Sequence, residues 1–131
     1  MNAKKINDVV TKEKLEKYFA ITGEALEKCK VALDKERLKN AKDFLDMSEI
    51  AKKINSFSPD SLAISEHDQK ILAELFFDMA SRYYSDAKHF EKKNDYVLAF
   101  AALNYAHGWL DAGARIRLFK VNDSRLFTVD D

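Results

Sequence analysis

The chain contains almost nothing that would break a helix. Three glycines and one proline stand among 131 residues, about 3% of the chain against roughly 12% in ordinary proteins. A sandwich or barrel needs such residues at its many turns, so an all-α fold is expected, an up-and-down bundle in a single domain over residues 1–131. Hydrophobic residues make up 47% of the chain, enough to bury a core although 34% is charged. Twenty-two lysines and arginines balance 22 aspartates and glutamates. Zero net charge removes the usual argument for nonspecific binding to nucleic acid or acidic lipid. No run of 18 uncharged apolar residues is present, and Met1-Asn2-Ala3-Lys4-Lys5 leads into no apolar signal core. A soluble, cytoplasmic protein is the expectation. The one cysteine, Cys29, excludes an internal disulfide and a cysteine-cluster metal site.

Hydrophobic periodicity divides the chain into four helical segments at about 11–33, 35–56, 66–93 and 96–119, followed by a tail at 120–131. Residues 1–10 are polar and aperiodic. Thr11 suits the cap of the first segment, whose stripe is Leu15, Phe19, Thr22, Leu26, Cys29 and Leu33. Spacings of four and three place these on one seam of a left-handed bundle. Gly23 falls inside this pattern. In the second segment Phe44, Met47, Ala51 and Ile54 repeat at three, four, three, with a break from the first expected near Asp34. Ser56 to Ser65, around Pro59, is the clearest boundary. Ser65 then opens the third segment as its cap.

The third segment carries Leu72, Phe76, Met79, Tyr83, Asp86 and Phe90 at alternating spacings of four and three, so Asp86 is expected in a seam. Asn94-Asp95 reads as a tight connection. Asparagine tolerates the left-handed conformation that ends a helix, and aspartate caps the next. The fourth segment has the stripe Ala99, Leu103, Ala106, Leu110 and Gly113, with Val97, Leu98, Phe100, Tyr105, Trp109, Ile116 and Leu118 on its other sides. A helix apolar nearly all round is expected to be central, with Trp109 in the interior. Leu126, Phe127 and Val129 give the tail enough apolar surface to dock on the bundle.

The run Tyr83-Tyr84-Ser85-Asp86-Ala87-Lys88-His89-Phe90, the turn Asn94-Asp95-Tyr96 and the stretch Tyr105-Ala106-His107-Gly108-Trp109-Leu110-Asp111-Ala112-Gly113-Ala114-Arg115 resemble the small archaeal helical family catalogued as domain of unknown function 357. The resemblance covers about residues 73–119 well and the first helix loosely. It implies a helical bundle and carries no activity. Two departures stand out. Arg117 occupies a position where the family pattern leads one to expect glycine, and residues 34–65 are longer than the usual linker, which implies an extra helix on a three-helix core.

Few residues suggest chemistry. A carboxylate at the seam position of Asp86 costs several kcal/mol unless paired, so Asp86 is either a structural contact fixing register or a ligand-binding or catalytic carboxylate. His107, Asp111 and Arg115 form an i, i+4, i+8 row on the fourth segment. This row is either a solvated face or an anion-contacting strip. If the last two helices form an antiparallel hairpin about Asn94-Asp95, facing residues have numbers summing to about 188–189. That register places Arg82 level with His107, near Tyr105. Arg82, Asp86, Tyr105, His107, Asp111 and Arg115 are therefore the candidate polar pocket. Asp86 and Asp111 are roughly 12 Å apart in this register, too far for a carboxylate dyad.

Arg82 and His89, six residues intervening, match the arginine–histidine spacing of HEPN-type helical ribonucleases, in which the arginine would hold phosphate and the histidine move a proton. The three histidines, His67, His89 and His107, are scattered, and no metal or cofactor is expected. The leading functional expectation is a non-catalytic module that binds a protein partner or itself. The alternatives are a nucleotide- or RNA-processing helical domain and a small-ligand pocket.

Overall fold

The computed structural model describes residues 9–39 and 65–129. Among these there are three helices, α1 (Lys12–Lys39), α2 (Glu66–Lys92) and α3 (Tyr96–Arg115), and then a tail at 116–129. Each helix starts where a short polar side chain replaces the missing backbone acceptor. Thr11 Oγ1 accepts from the Lys14 N–H at 3.1 Å, Ser65 Oγ from Asp68 N–H at 3.1 Å, and Asp95 Oδ1 from Leu98 N–H at 3.2 Å.

The break expected near Asp34 is absent: α1 passes through it to Lys39. Lys35-Glu36-Arg37-Leu38-Lys39 are all good helix formers, and no glycine or proline interrupts them. The rest of the expected 35–56 helix and most of the Ser56–Ser65 boundary lie outside the described residues. Gly23 does not bend α1 apart. It admits Tyr84, whose hydroxyl oxygen lies 2.8 Å from where a Cβ would stand.

The connection from α2 to α3 follows its sequence. Asn94 takes φ 59. The Asp95 N–H donates to Phe90 carbonyl and the Asn94 N–H to Glu91 carbonyl, each at 2.9 Å. This paired closure is the Schellman arrangement. The same device ends α3, four residues earlier than expected. Leu118 N–H donates to Gly113 carbonyl at 2.8 Å and Arg117 N–H to Ala114 carbonyl at 3.1 Å, with Arg117 at φ 65. The chain then doubles back, and the Phe119 ring lies directly over Gly113, where a Cβ would collide with it.

α2 and α3 form the most extensive pair, and α1 lies along both. The start of α1 meets the end of α2 and the start of α3: Leu15, Ala87, Ala99, Ala102 and Leu103 form one buried cluster. A second cluster joins Ala25, Cys29, Leu33, Ala73, Ala80, Leu110 and Ala114 to Phe119, Leu126 and Phe127 of the tail. α1 is thus antiparallel to α2 and parallel to α3. The expected stripe of α1 faces inward, and all five residues of the α3 stripe are buried.

Two expectations fail in an informative way. The seam of α2 is Ala73, Phe77, Ala80, Tyr84 and Ala87, one position beyond the stripe of larger residues. Three alanines on that line let the helices approach closely. Leu72, Phe76, Met79, Tyr83 and Phe90 flank it half-buried, and Asp86 is exposed. Nor is α3 buried all round. Val97 is 66% exposed, Leu98 46%, Tyr105 54% and Ile116 61%, and Trp109 is only half-buried.

Candidate functional site

The six residues grouped as a polar pocket fall on different faces. Arg82 and His107 have the expected common level, since Tyr83 and Tyr105, whose numbers sum to 188, meet edge-on with ring centroids 4.4 Å apart. They point to opposite sides. Arg82 is exposed on α2, and its Nε donates to Asp78 Oδ2 one turn earlier at 2.8 Å. His107 turns toward α1 and the tail. Asp86, exposed, meets neither. Tyr105 joins an aromatic ladder on the outside of the α2–α3 pair. It lies edge-on to Trp109 at 6.4 Å, and Trp109 lies edge-on to Phe76 at 5.0 Å. His89, the partner expected for Arg82 in phosphate chemistry, is exposed and lies edge-on to Phe90.

His107 and Asp111 instead anchor the tail. The Nε2 of His107 lies 2.6 Å from Leu126 carbonyl. A carbonyl only accepts, so Nε2 carries the hydrogen. The other ring nitrogen lies 3.3 Å from the Oγ1 of the buried Thr22 on α1. The imidazole also stacks on Phe127, centroids 6.4 Å apart. One side chain thereby ties α1, α3 and the tail together. A turn later, Asp111 accepts from the backbone N–H of Thr128 and from its hydroxyl, the latter at 2.8 Å. The polar row on α3 is neither a solvated face nor an open anion strip at these two positions. Arg115, the third, is exposed beside an open basin where α3 runs into the tail, lined also by Arg117, Lys120 and Arg125.

Ion pairs that no periodicity announces complete the anchoring. Lys28 Nζ donates to Asp123 Oδ2 at 2.6 Å, Arg125 reaches the same oxygen at 2.7 Å and Glu24 at 3.1 Å, and Lys120 pairs with Glu36 at 3.4 Å. Hydrogen bonds from Arg125, then Lys28, hold the Asp123 carboxyl well below the usual carboxylate range. Asp123, with Glu24 behind it, raises the already high pKa of Arg125. Burial pushes the Cys29 thiol up to about 12, which suits a core residue and not a nucleophile. Burial, with the Glu91 charge second, raises Tyr84, whose hydroxyl donates to Phe19 carbonyl at 3.4 Å.

Among the described residues no group of three or more His, Cys, Asp or Glu side chains is placed to hold a metal ion, and no helix is long and apolar enough to cross a membrane. What the polar residues leave over is the outer face of α3. Val97, Ala101, Tyr105, Gly108, Ala112 and Ile116 follow one another at spacings of four, four, three, four and four, all exposed. Between Asp95 and Arg115 the helix has one charged residue, Asp111, and that one is engaged by Thr128. In a chain that is 34% charged, an uncharged exposed helix face is unusual, and this signal was present in the sequence.

Neither the curated proteins nor the solved structures contain a match to this chain. Residues 49–119, more than half of its length, match the family described as Protein of unknown function (DUF357). That span takes in all of α2, the Asn94-Asp95 turn and all of α3, and the chain belongs to this family.

Proposed function

We propose that the protein is a non-catalytic interaction module that associates through the outer face of α3. The uncharged, exposed row from Val97 to Ile116 carries this reading. Monomeric soluble proteins seldom leave a contiguous apolar face of this kind uncovered. The residues best suited to chemistry support it from the other side. His107 and Asp111 hold the tail, Arg82 holds Asp78, and Cys29 is buried.

Position 108 suits a test, because nothing lies within 4 Å of where its Cβ would stand. A photo-crosslinking residue there is expected to form an adduct in native cells, while the same group at the exposed Lys30 of α1 is not. Excess wild-type protein should compete the adduct away, and the Gly108→Arg variant should fail to compete. Equal labelling from both positions, or none from 108, would overturn the reading.

A further inference from the structure

Resting on that reading, we infer that the occupant of the α3 face is a second copy of this chain, packed antiparallel across a two-fold axis between Ala106 and His107. The exposed row is symmetric about this point. Val97 and Ile116, Ala101 and Ala112, and Tyr105 and Gly108 each have numbers summing to 213. In an antiparallel pair centred there, each residue lies opposite the other member of its couple, as a two-fold interface requires. The sizes match as well. The large, half-exposed Tyr105 ring falls opposite Gly108, where there is open space. Ala101 falls opposite Ala112, so the backbones can approach closely at the next contact out. Val97 and Ile116 close the ends.

Charge points the same way. Arg115, exposed at the edge of the uncharged row, falls opposite Leu98 of the second copy. Asp95, the cap of that copy's helix, lies one turn further along, about 4.5 Å by helix rise. An arginine side chain spans that distance. One oxygen of Asp95 accepts from Leu98 N–H, and the other is available to the guanidinium. Two such pairs form, one at each end, and each places the positive end of one helix beside the negative end of the other. A parallel pairing would set Arg115 against Arg115.

The row is about 28 Å long at 1.5 Å per residue and one helix wide, about 10 Å. That footprint is below the roughly 800 Å² per partner of a standard interface. The dimer should therefore be weak and concentration-dependent.

Sedimentation equilibrium from about 1 μM to about 1 mM, the range that reads weak constants, tests this with a charge swap. Ala101 and Ala112 are both exposed, so charged side chains at either are compatible with folding, which thermal melts would check. The wild type should rise from monomer toward dimer mass. Ala101→Glu alone and Ala112→Lys alone should each weaken association about tenfold or more. The double variant should recover it. Within one chain the two new charges stand three turns apart on α3, whereas across the two-fold axis the new carboxylate of each copy lies opposite the new ammonium of the other. A wild type that stays monomeric throughout, or a double variant as weak as the singles, would overturn the inference. So would a position-108 photoadduct that maps to residues 40–64 of the same chain. A photoadduct to a different protein would overturn the second-copy inference while leaving the interaction role standing.

Discussion

Arg117 sits in a backbone conformation, φ 65, that glycine adopts freely and other residues resist. It is the position where family resemblance suggested a glycine, and the Schellman closure of α3 explains why. Left-handed φ costs a non-glycine residue about 1–2 kcal/mol, while glycine loses about 0.5–1 kcal/mol more on ordering than alanine. Arg117 is exposed, so little contact is lost with it. Arg117→Gly should therefore raise stability by about 0.5–1 kcal/mol, read as a higher urea midpoint, and Arg117→Ala should not. A midpoint unchanged by glycine would show that the arginine side chain offsets its own strain. Cys29 makes a different case. Its buried thiol, with a pKa pushed up to about 12, is almost wholly protonated at neutral pH, and only thiolate reacts. Disulfide reagents should modify it at the rate of unfolding, and immediately in denaturant. Fast modification of native protein would contradict its place in the core.

Helix starts and the turn from α2 to α3 were legible because they depend on near neighbours. Thr11, Ser65, Asn94 and Asp95 each act within four residues of themselves, so their roles could be read directly. The faces of α1 and α3 that turn inward were legible for a similar reason, since spacing alone fixes them. The face of α2 was not. Two stripes run along it one residue apart, and the stripe with the larger side chains looked like the seam. Close approach selected the other, because alanine is what a tight crossing admits. Ala80, fully buried, is its centre. Ala80→Leu should cost about 1–3 kcal/mol through overpacking, whereas Met79→Leu, a swap of similar volume at a half-buried position, should cost less than about 1.5 kcal/mol. Thermal melts would separate them. The reverse order would restore the seam to the larger stripe. The candidate site failed for a related reason. Hairpin register placed Arg82 and His107 at the same level correctly, but level does not fix the direction around the helix axis. The tail partners of His107 and Asp111 lie 19 and 17 residues later, in a segment with no periodicity to read.

The tail gives the bundle its fourth wall, and its attachment has a pH dependence that can be worked out. Phe119, Leu126 and Phe127 are buried in the larger core cluster, while Asp123 holds the loop between them to α1 through Lys28 and shares Arg125 with Glu24. Hydrogen bonds from Arg125 and Lys28 lower the Asp123 carboxyl below its ordinary 3.8. A carboxyl depressed in the folded state binds fewer protons there than in the unfolded chain, so it stabilises the fold at pH values above 3.8. That contribution declines as pH falls below the unfolded value and is gone below the folded one. Lys28 and Arg125 remain positive throughout this range, so a protonated Asp123 leaves two cations facing each other. With 22 acidic residues in the chain, acid lowers stability for many reasons, and a comparison is needed to isolate this one. The stability difference between the wild type and Asp123→Asn should be constant from neutrality down to about pH 5 and shrink steadily below about pH 4. Hydrogen exchange should locate the loss in the tail, at the Leu126 and Phe127 amides that donate to Asp123 carbonyl, before α2 and α3 open. A difference that persists undiminished into strong acid would mean that Asp123 acts through packing and not through its charge. Uniform exchange across the tail and the hairpin would mean that the fourth wall does not open separately from the bundle it closes.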